Sequence, residues 1–274
     1  MKKSKIIVPA LGILVLSTAA AVTGTVAWFT SSNVLNVSGM HASVDAENGI
    51  VIANETNTPW ATSASALHTG ADVDLTLTST ADLTNWYHAN SDDADKYQAA
   101  TEYKKLSISK PDAGADGTGL GTAKLNDEDA NAKNFYLLNR FYIQSASGVA
   151  LANQDINVKN IVVEAGTGSA ELDKAIRVAF KYNTTTFIYG AVTGFTAGYT
   201  VNGSTAVTAL APATVSTLAD NVTIPAYKEG GDNALEFEVY VYFEGEDAAA
   251  KSANITANLD KLAVSFQFEN KDNA

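Results

Sequence analysis

The chain has 274 residues and a formal net charge of −12, from 18 basic and 30 acidic side chains. Because an acidic surface repels phosphate backbones, nucleic acid is not expected as a partner. The chain contains no cysteine, which excludes disulfides and thiolate zinc sites, and its length suits one large β domain or two small ones.

Residues 1–27 have the layout of a secretory signal peptide. The basic start Met1-Lys-Lys-Ser-Lys5 precedes an uncharged stretch, residues 6–29, whose second half is rich in small and hydroxylated residues. Small side chains at Thr25 and Ala27 fit cleavage between Ala27 and Trp28. We therefore expect a secreted, cell-surface or extracellular protein that meets the membrane only before cleavage. The alternative is an uncleaved anchor, because a stretch of this length is long enough to span a bilayer.

Residues 28–40 connect the signal peptide to the body of the protein. Trp28 and Phe29 are too apolar for an open linker, and Val34, Leu35 and Val37 favour an extended strand. We therefore divide the chain into a signal peptide at 1–27, an N-terminal segment at 28–40 and a single β domain at 41–274.

The body begins with short strand patterns and is then interrupted. Residues 49–53 form a compact apolar run, and residues 72–78 alternate, with Val73, Leu75 and Leu77 on one face. Residues 85–134 are acidic, rich in glycine and poor in apolar side chains. They predict a loop-rich insertion within the same domain, because they cannot close a core of their own.

Strand patterns return after the insertion and continue to residue 269. Residues 171–175 predict a short helical turn, and residues 176–182 a strand with Arg177 and Lys181 facing outward. Residues 235–244 alternate between an apolar face and a face expected to be exposed, formed by Glu236, Glu238, Tyr240, Tyr242 and Glu244. The pattern as a whole predicts an all-β fold, a two-sheet jelly-roll-like sandwich with short helical turns.

The sequence carries no catalytic motif, so we expect no enzymatic activity. His41, His68 and His88 lack the spacing of a zinc protease, and no Gly-x-Ser-x-Gly turn is present. Calcium prefers several oxygen ligands from flexible loops. The acidic loops therefore give weak calcium candidates, with solvated loops as the default interpretation and no other cofactor expected: Asp92, Asp93, Asp95, Asp127 and Asp129.

Three aromatic residues allow two interpretations. In one interpretation, Trp60, Trp86 and Tyr87 together form a platform on which sugar rings stack. They serve equally well as anchors of a sandwich core, which is the interpretation that we favour.

The N-terminal sequence resembles the TasA and camelysin family of secreted fibre proteins. The similarity rests on Gly24-Thr-Val-Ala-Trp-Phe-Thr-Ser-Ser-Asn33, then on Asn36-Val-Ser-Gly39 and Val44-Asp45. A weaker similarity near the other end involves Val241-Tyr-Phe-Glu-Gly-Glu-Asp247.

The resemblance implies a jelly-roll subunit of biofilm-matrix filaments that donates its freed N-terminal strand to a neighbouring copy. The donated segment would run from Trp28 to about Gly39, with Trp28, Phe29, Val34, Leu35 and Val37 as its apolar residues. The expected partners are other copies of the chain, joined head to tail, together with extracellular matrix or wall polymers. One alternative is a monomeric surface module that binds wall polymer or polysaccharide. A second is a camelysin-like metalloprotease, for which the sequence offers no zinc motif.

Overall fold

A computed structural model describes the greater part of the body and part of the N-terminal segment. The described residues are 35–37, 41–47, 49–54, 60–67, 73–75, 77–89, 103–105, 120–124, 134–165, 171–202, 204–231, 233–247, 249–250 and 262–272. Among them, no helix is long and apolar enough to cross a membrane.

The described residues form eighteen strands, numbered here in chain order. They are β1 (Leu35–Val37), β2 (His41–Glu47), β3 (Ile50–Ala53), β4 (Ser63–Leu67), β5 (Val73–Leu75), β6 (Ser79–Thr80), β7 (Trp86–Ala89), β8 (Tyr103–Lys105), β9 (Leu120–Lys124), β10 (Asn134–Ser145), β11 (Leu151–Ala165), β12 (Ile176–Tyr182), β13 (Thr185–Gly190), β14 (Gly198–Val201), β15 (Thr205–Thr208), β16 (Ser216–Ile224), β17 (Leu235–Phe243) and β18 (Leu262–Asp272). A 3-10 turn at Leu172–Ala175 confirms the predicted helical turn before β12.

Two large sheets face each other and confirm the predicted all-β sandwich. Sheet A has the order β1-β5-β10-β17-β12-β13, with β3 and β9 also pairing with β10. Sheet B has the order β16-β11-β18-β2-β4. Aromatic rings fill the space between them, since Phe266 of sheet B lies 5.5 Å from Phe141 and 4.9 Å from Phe180 of sheet A, measured between ring centroids.

A further layer covers the other face of sheet A. It consists of the small sheet β6-β7-β8 and the hairpin β14-β15. Trp86 from this layer is 1 % exposed, stacks on Tyr136 at 4.3 Å and meets Tyr242 edge to face at 5.1 Å. The preference for Trp86 as a core anchor is therefore confirmed, and the central strands β10, β17 and β12 of sheet A bury residues on both faces.

This extra layer overturns two sequence predictions. The later part of the second face of β17 does not lie open to solvent, because Tyr240, Tyr242 and Glu244 are buried beneath the layer, whereas Glu236 at the start of this face is exposed as predicted. Arg177 was expected to face outward, yet its side chain is completely buried on the same side of sheet A. Both predictions assumed a two-layer molecule, in which the face turned away from the core meets water.

Sheet B contains one parallel pair in an otherwise antiparallel arrangement. Strand β2 runs parallel to β18, from His41 opposite Ala263 to Glu47 opposite Glu269, and antiparallel to β4 on its other side. The beginning of the β domain is therefore held in sheet B between two strands that come from distant parts of the chain.

Candidate assembly site

The described part of the N-terminal segment lies at the edge of sheet A. Strand β1 pairs antiparallel with β5, with Leu35 opposite Leu75, Asn36 opposite Asp74 and Val37 opposite Val73. Among the described residues, these three pairs connect the N-terminal segment to sheet A. Within this chain, then, Leu35 and Val37 pair with the chain's own body.

Strand β5 is the short element that receives β1. Its Leu75 is fully buried in the main core and stands opposite Asn134 in a parallel pairing with β10. If β1 left this position, Leu75 would stay in the core while the backbone of β5 became an open edge. An open edge presents unpaired amide and carbonyl groups that another strand can satisfy.

The N-terminal segment changes sheets between β1 and β2. Residues 38–40 separate Val37 in sheet A from His41 in sheet B. Because β2 has a strand on each side, it belongs to the body, whereas β1 pairs only with β5 among the described residues. The chain is therefore part of sheet B from His41 onward.

An ion pair fixes the end of β2 to the body. Glu47 and Glu269 face each other across the parallel pair, and the Nζ atom of Lys159 donates to both carboxylates, at 2.8 and 2.9 Å. Hydrogen bonds to Glu47 and Glu269 raise the pKa of Lys159, and the hydrogen bond from Lys159 lowers the pKa of Glu269. Lys159 thus compensates two like charges that would otherwise repel each other across the pair.

Several predicted site residues fall outside the described part of the chain. They are Ala27, Trp28, Phe29 and Val34 of the cleavage and assembly segment, and the calcium candidates Asp92, Asp93, Asp95, Asp127 and Asp129. Within the described residues, no group of three or more histidine or acidic side chains is arranged to hold a metal ion.

A buried ion pair, which the sequence patterns do not predict, fixes the extra layer to sheet A. The Nη2 atom of Arg177 lies 2.6 Å from Oδ2 of Asp247, and both side chains are almost completely buried. The same guanidinium donates to the backbone oxygens of Lys174 and Thr196, while the Thr196 amide donates to Asp247. These bonds tie together β12, the loop before β14 and the turn after β17.

Glu244 lies beside this pair, at the end of β17. Its Oε1 accepts a hydrogen bond from the Glu246 amide at 3.0 Å, and the hydroxyl groups of Ser79 and Tyr199 lie close to its carboxylate, with the Tyr242 hydroxyl beside that of Tyr199. Burial raises the pKa of Glu244 to about 7, although the nearby Ser79 hydroxyl, the Glu246 amide and the Arg177 guanidinium each lower it.

The backbone next to Glu244 holds the segment that follows β5. The Thr78 amide donates to Phe243 O at 3.0 Å, and the Gly245 amide donates to Thr78 O at 2.9 Å. The strand that receives β1 is therefore joined, through Thr78, to the end of β17.

Comparison with known proteins returns no relatives. No protein-family model, no curated protein and no solved structure matches this chain significantly.

Proposed function

We propose that this protein is a secreted structural subunit that forms extracellular filaments by strand exchange between copies. In this proposal β1 leaves β5 of its own chain and pairs with β5 of the next copy. The observation that supports it most is the position of β1, a three-residue strand at the edge of sheet A, connected by residues 38–40 to a body strand that is held on both sides.

Exchange changes few interactions in the body. The same three residue pairs form within one chain or between two, so the hydrogen bonds lost on release are regained on docking. The additional stabilisation would come from Trp28 and Phe29, which precede β1 in the sequence. A large apolar side chain that becomes fully buried contributes about 1.5–3 kcal/mol.

Strand donation in one direction gives an open assembly. A head-to-tail contact leaves an unfilled edge at one end and a free strand at the other, so copies add without closing. Removal of the signal peptide must come first, because an attached hydrophobic segment would hold the strand at the membrane. The role is structural and requires no cofactor.

Deletion of the donated segment tests the proposal. Chains that begin at residue 28 are expected to form filaments visible by negative-stain electron microscopy, whereas chains that begin at residue 40 are expected to remain folded monomers. The far-UV circular dichroism spectra of the two forms should be similar, because β1 is the only strand among the described residues that the deletion removes. Filaments of the shorter chain, or none of the longer chain under any condition of salt and pH, would contradict the proposal.

A further inference from the structure

A groove of about 600 Å³ opens at one end of the sandwich, where the chain crosses from β10 in sheet A to β11 in sheet B. The β10–β11 turn forms one wall and the end of β18 forms another. The groove adjoins Ser145, whereas the contact between β5 and β10 is at Asn134, roughly 35 Å away along the extended strand. It is therefore separate from the assembly site.

Hydrogen bonds hold the polar walls of the groove in place. The Ser145 amide donates to Pro225 O at 2.8 Å, and the hydroxyl groups of Ser145 and Ser147 lie 3.0 Å apart. On the opposite wall, Gln154 Nε2 donates to Ala152 O at 2.8 Å and to Asp272 Oδ1 at 3.3 Å. A ligand would thus meet donors and acceptors that are already positioned, which lowers the entropy lost on binding.

The charges of the groove select against anions. Glu269 and Asp272 line it together with Lys271, Glu269 is also paired with Lys159, and the whole chain is strongly acidic. Polyanions are therefore repelled. Hydroxyl groups both donate and accept, so a neutral polyhydroxylated ligand can satisfy carboxylates, amides and serine hydroxyls alike.

Exposed apolar side chains border the same turn. Tyr227 is 44 % exposed, its amide donates to Ser147 O at 2.9 Å, and its ring meets Trp60 edge to face at 6.5 Å. Val149, in the β10–β11 turn itself, is 68 % exposed. A sugar ring has an apolar C–H face that packs on an aromatic ring and a polar rim that requires hydrogen bonds. The lining of the groove supplies polar groups, and Tyr227 is the neighbouring exposed aromatic residue, joined through its amide to Ser147 of the lining.

We propose that this groove binds a short stretch of neutral polysaccharide, with a sugar ring packed on Tyr227 and neighbouring hydroxyl groups bound by Asp272, Gln154 and Ser147. This binding goes beyond filament formation and does not depend on it, because the groove and β1 lie at opposite ends of β10. A filament built from such subunits would carry one glycan site per copy.

Binding of purified chain to defined oligosaccharides tests this proposal. The probes are hexasaccharides of neutral glucose and N-acetylglucosamine polymers, with oligogalacturonate as the anionic comparison, followed by saturation-transfer NMR and titration. At least one neutral probe is expected to bind, and Tyr227→Ala and Asp272→Asn should each weaken that binding about tenfold. Val215→Ala is the matched control. Val215 is also exposed, but it precedes Ser216, whereas the other end of β16, at Ile224, pairs with Leu151 of the groove.

The two variants test different contacts, because Tyr227→Ala removes an aromatic ring and Asp272→Asn removes a charge. Asp272→Asn preserves shape at the exposed end of β18, so it reports on binding even if Tyr227→Ala alters local packing. The proposal is overturned if no neutral probe binds, if both variants bind as tightly as the parent chain, or if oligogalacturonate binds best.

Discussion

At the scale of single residues, Glu244 makes the stability of this fold depend on pH. Its carboxyl group is fully buried, near the hydroxyl groups of Ser79, Tyr199 and Tyr242, the Arg177 guanidinium and the Glu246 carboxylate. Burial raises its pKa from 4.5 to about 7. The folded state therefore binds a proton more tightly than the unfolded state between these two values.

Replacement of Glu244 by glutamine should remove this dependence. In the parent chain, the contribution of Glu244 is complete below pH 4.5 and is lost as the pH rises to about 7, by up to about 3 kcal/mol. Glu244→Gln keeps an acceptor for the Glu246 amide and cannot ionise. We expect the free energy of unfolding of the variant, measured with urea from pH 5 to pH 8, to fall less than that of the parent. Identical slopes would show that Glu244 does not titrate in this range.

Arg177 shows why side-chain burial was difficult to predict. An arginine that alternates with apolar residues in a strand normally faces solvent. Its actual partner, Asp247, lies 70 positions later in the sequence, and no local pattern connects the two. One available signal was the composition of the opposite face of β17, where Tyr240 and Tyr242 stand in place of charged residues.

At the scale of the strand, Lys159 secures the parallel pairing of β2 with β18. Its replacement by glutamine leaves Glu47 and Glu269 opposite each other without the ammonium group that bonds to both. Because these carboxylates are partly exposed, we expect a loss of about 0.5–1 kcal/mol at neutral pH and low salt. The loss should shrink at pH 4 or in 1 M NaCl, where protonation or screening weakens the repulsion. A double-mutant cycle that combines this variant with Glu269→Gln, measured by urea unfolding, gives the coupling free energy between Lys159 and Glu269. A coupling free energy of zero would contradict the stabilising role of Lys159.

Strand β1 is the element on which the proposed assembly depends. Proline at position 37 removes a backbone donor and disfavours the ladder with β5. Val37→Pro should therefore abolish filament growth, measured by light scattering and electron microscopy, and change the thermal midpoint of the monomer by no more than a few degrees. Val37→Ile, which keeps strand propensity, is the control and should polymerise normally. Equal growth of the two variants would remove β1 from the mechanism.

Much of this fold was predictable strand by strand, but its layers were not. The alternation of residues 235–243 and 262–268 correctly gave the faces that enter the core, because the period of a strand is a local property. The parallel pairing of β2 with β18 and the layer over sheet A depend on contacts between distant segments. The apolar composition of residues 34–37 indicates an extended strand, and the resemblance to a fibre-forming family implies a donated segment, but neither indicates that Leu35–Val37 pairs with β5.

At the scale of the whole molecule, the strand proposed for assembly lies apart from the two hydrophobic cores. The two cores anchor β10, β17 and β12 at the centre of sheet A, whereas β1 lies at its edge. Exchange of β1 between copies would leave both cores intact. The same architecture places the proposed glycan groove at the far end of β10, so growth of a filament and capture of polysaccharide would not compete.

The most direct test of strand exchange is a mixed cross-linking experiment with two single-cysteine variants, Asn36→Cys and Asp74→Cys. These positions stand opposite each other in the β1–β5 ladder, at a spacing that a disulfide can bridge, and the chain has no other cysteine. A disulfide that joins the two variants must therefore link two different molecules. We predict that mild oxidation of co-assembled filaments gives the mixed dimer in high yield. A second sample contains filaments of the double variant Asn36→Cys/Asp74→Cys. Exchange would be contradicted if the mixed filaments gave no disulfide-linked dimer while the double variant formed its disulfide within single chains.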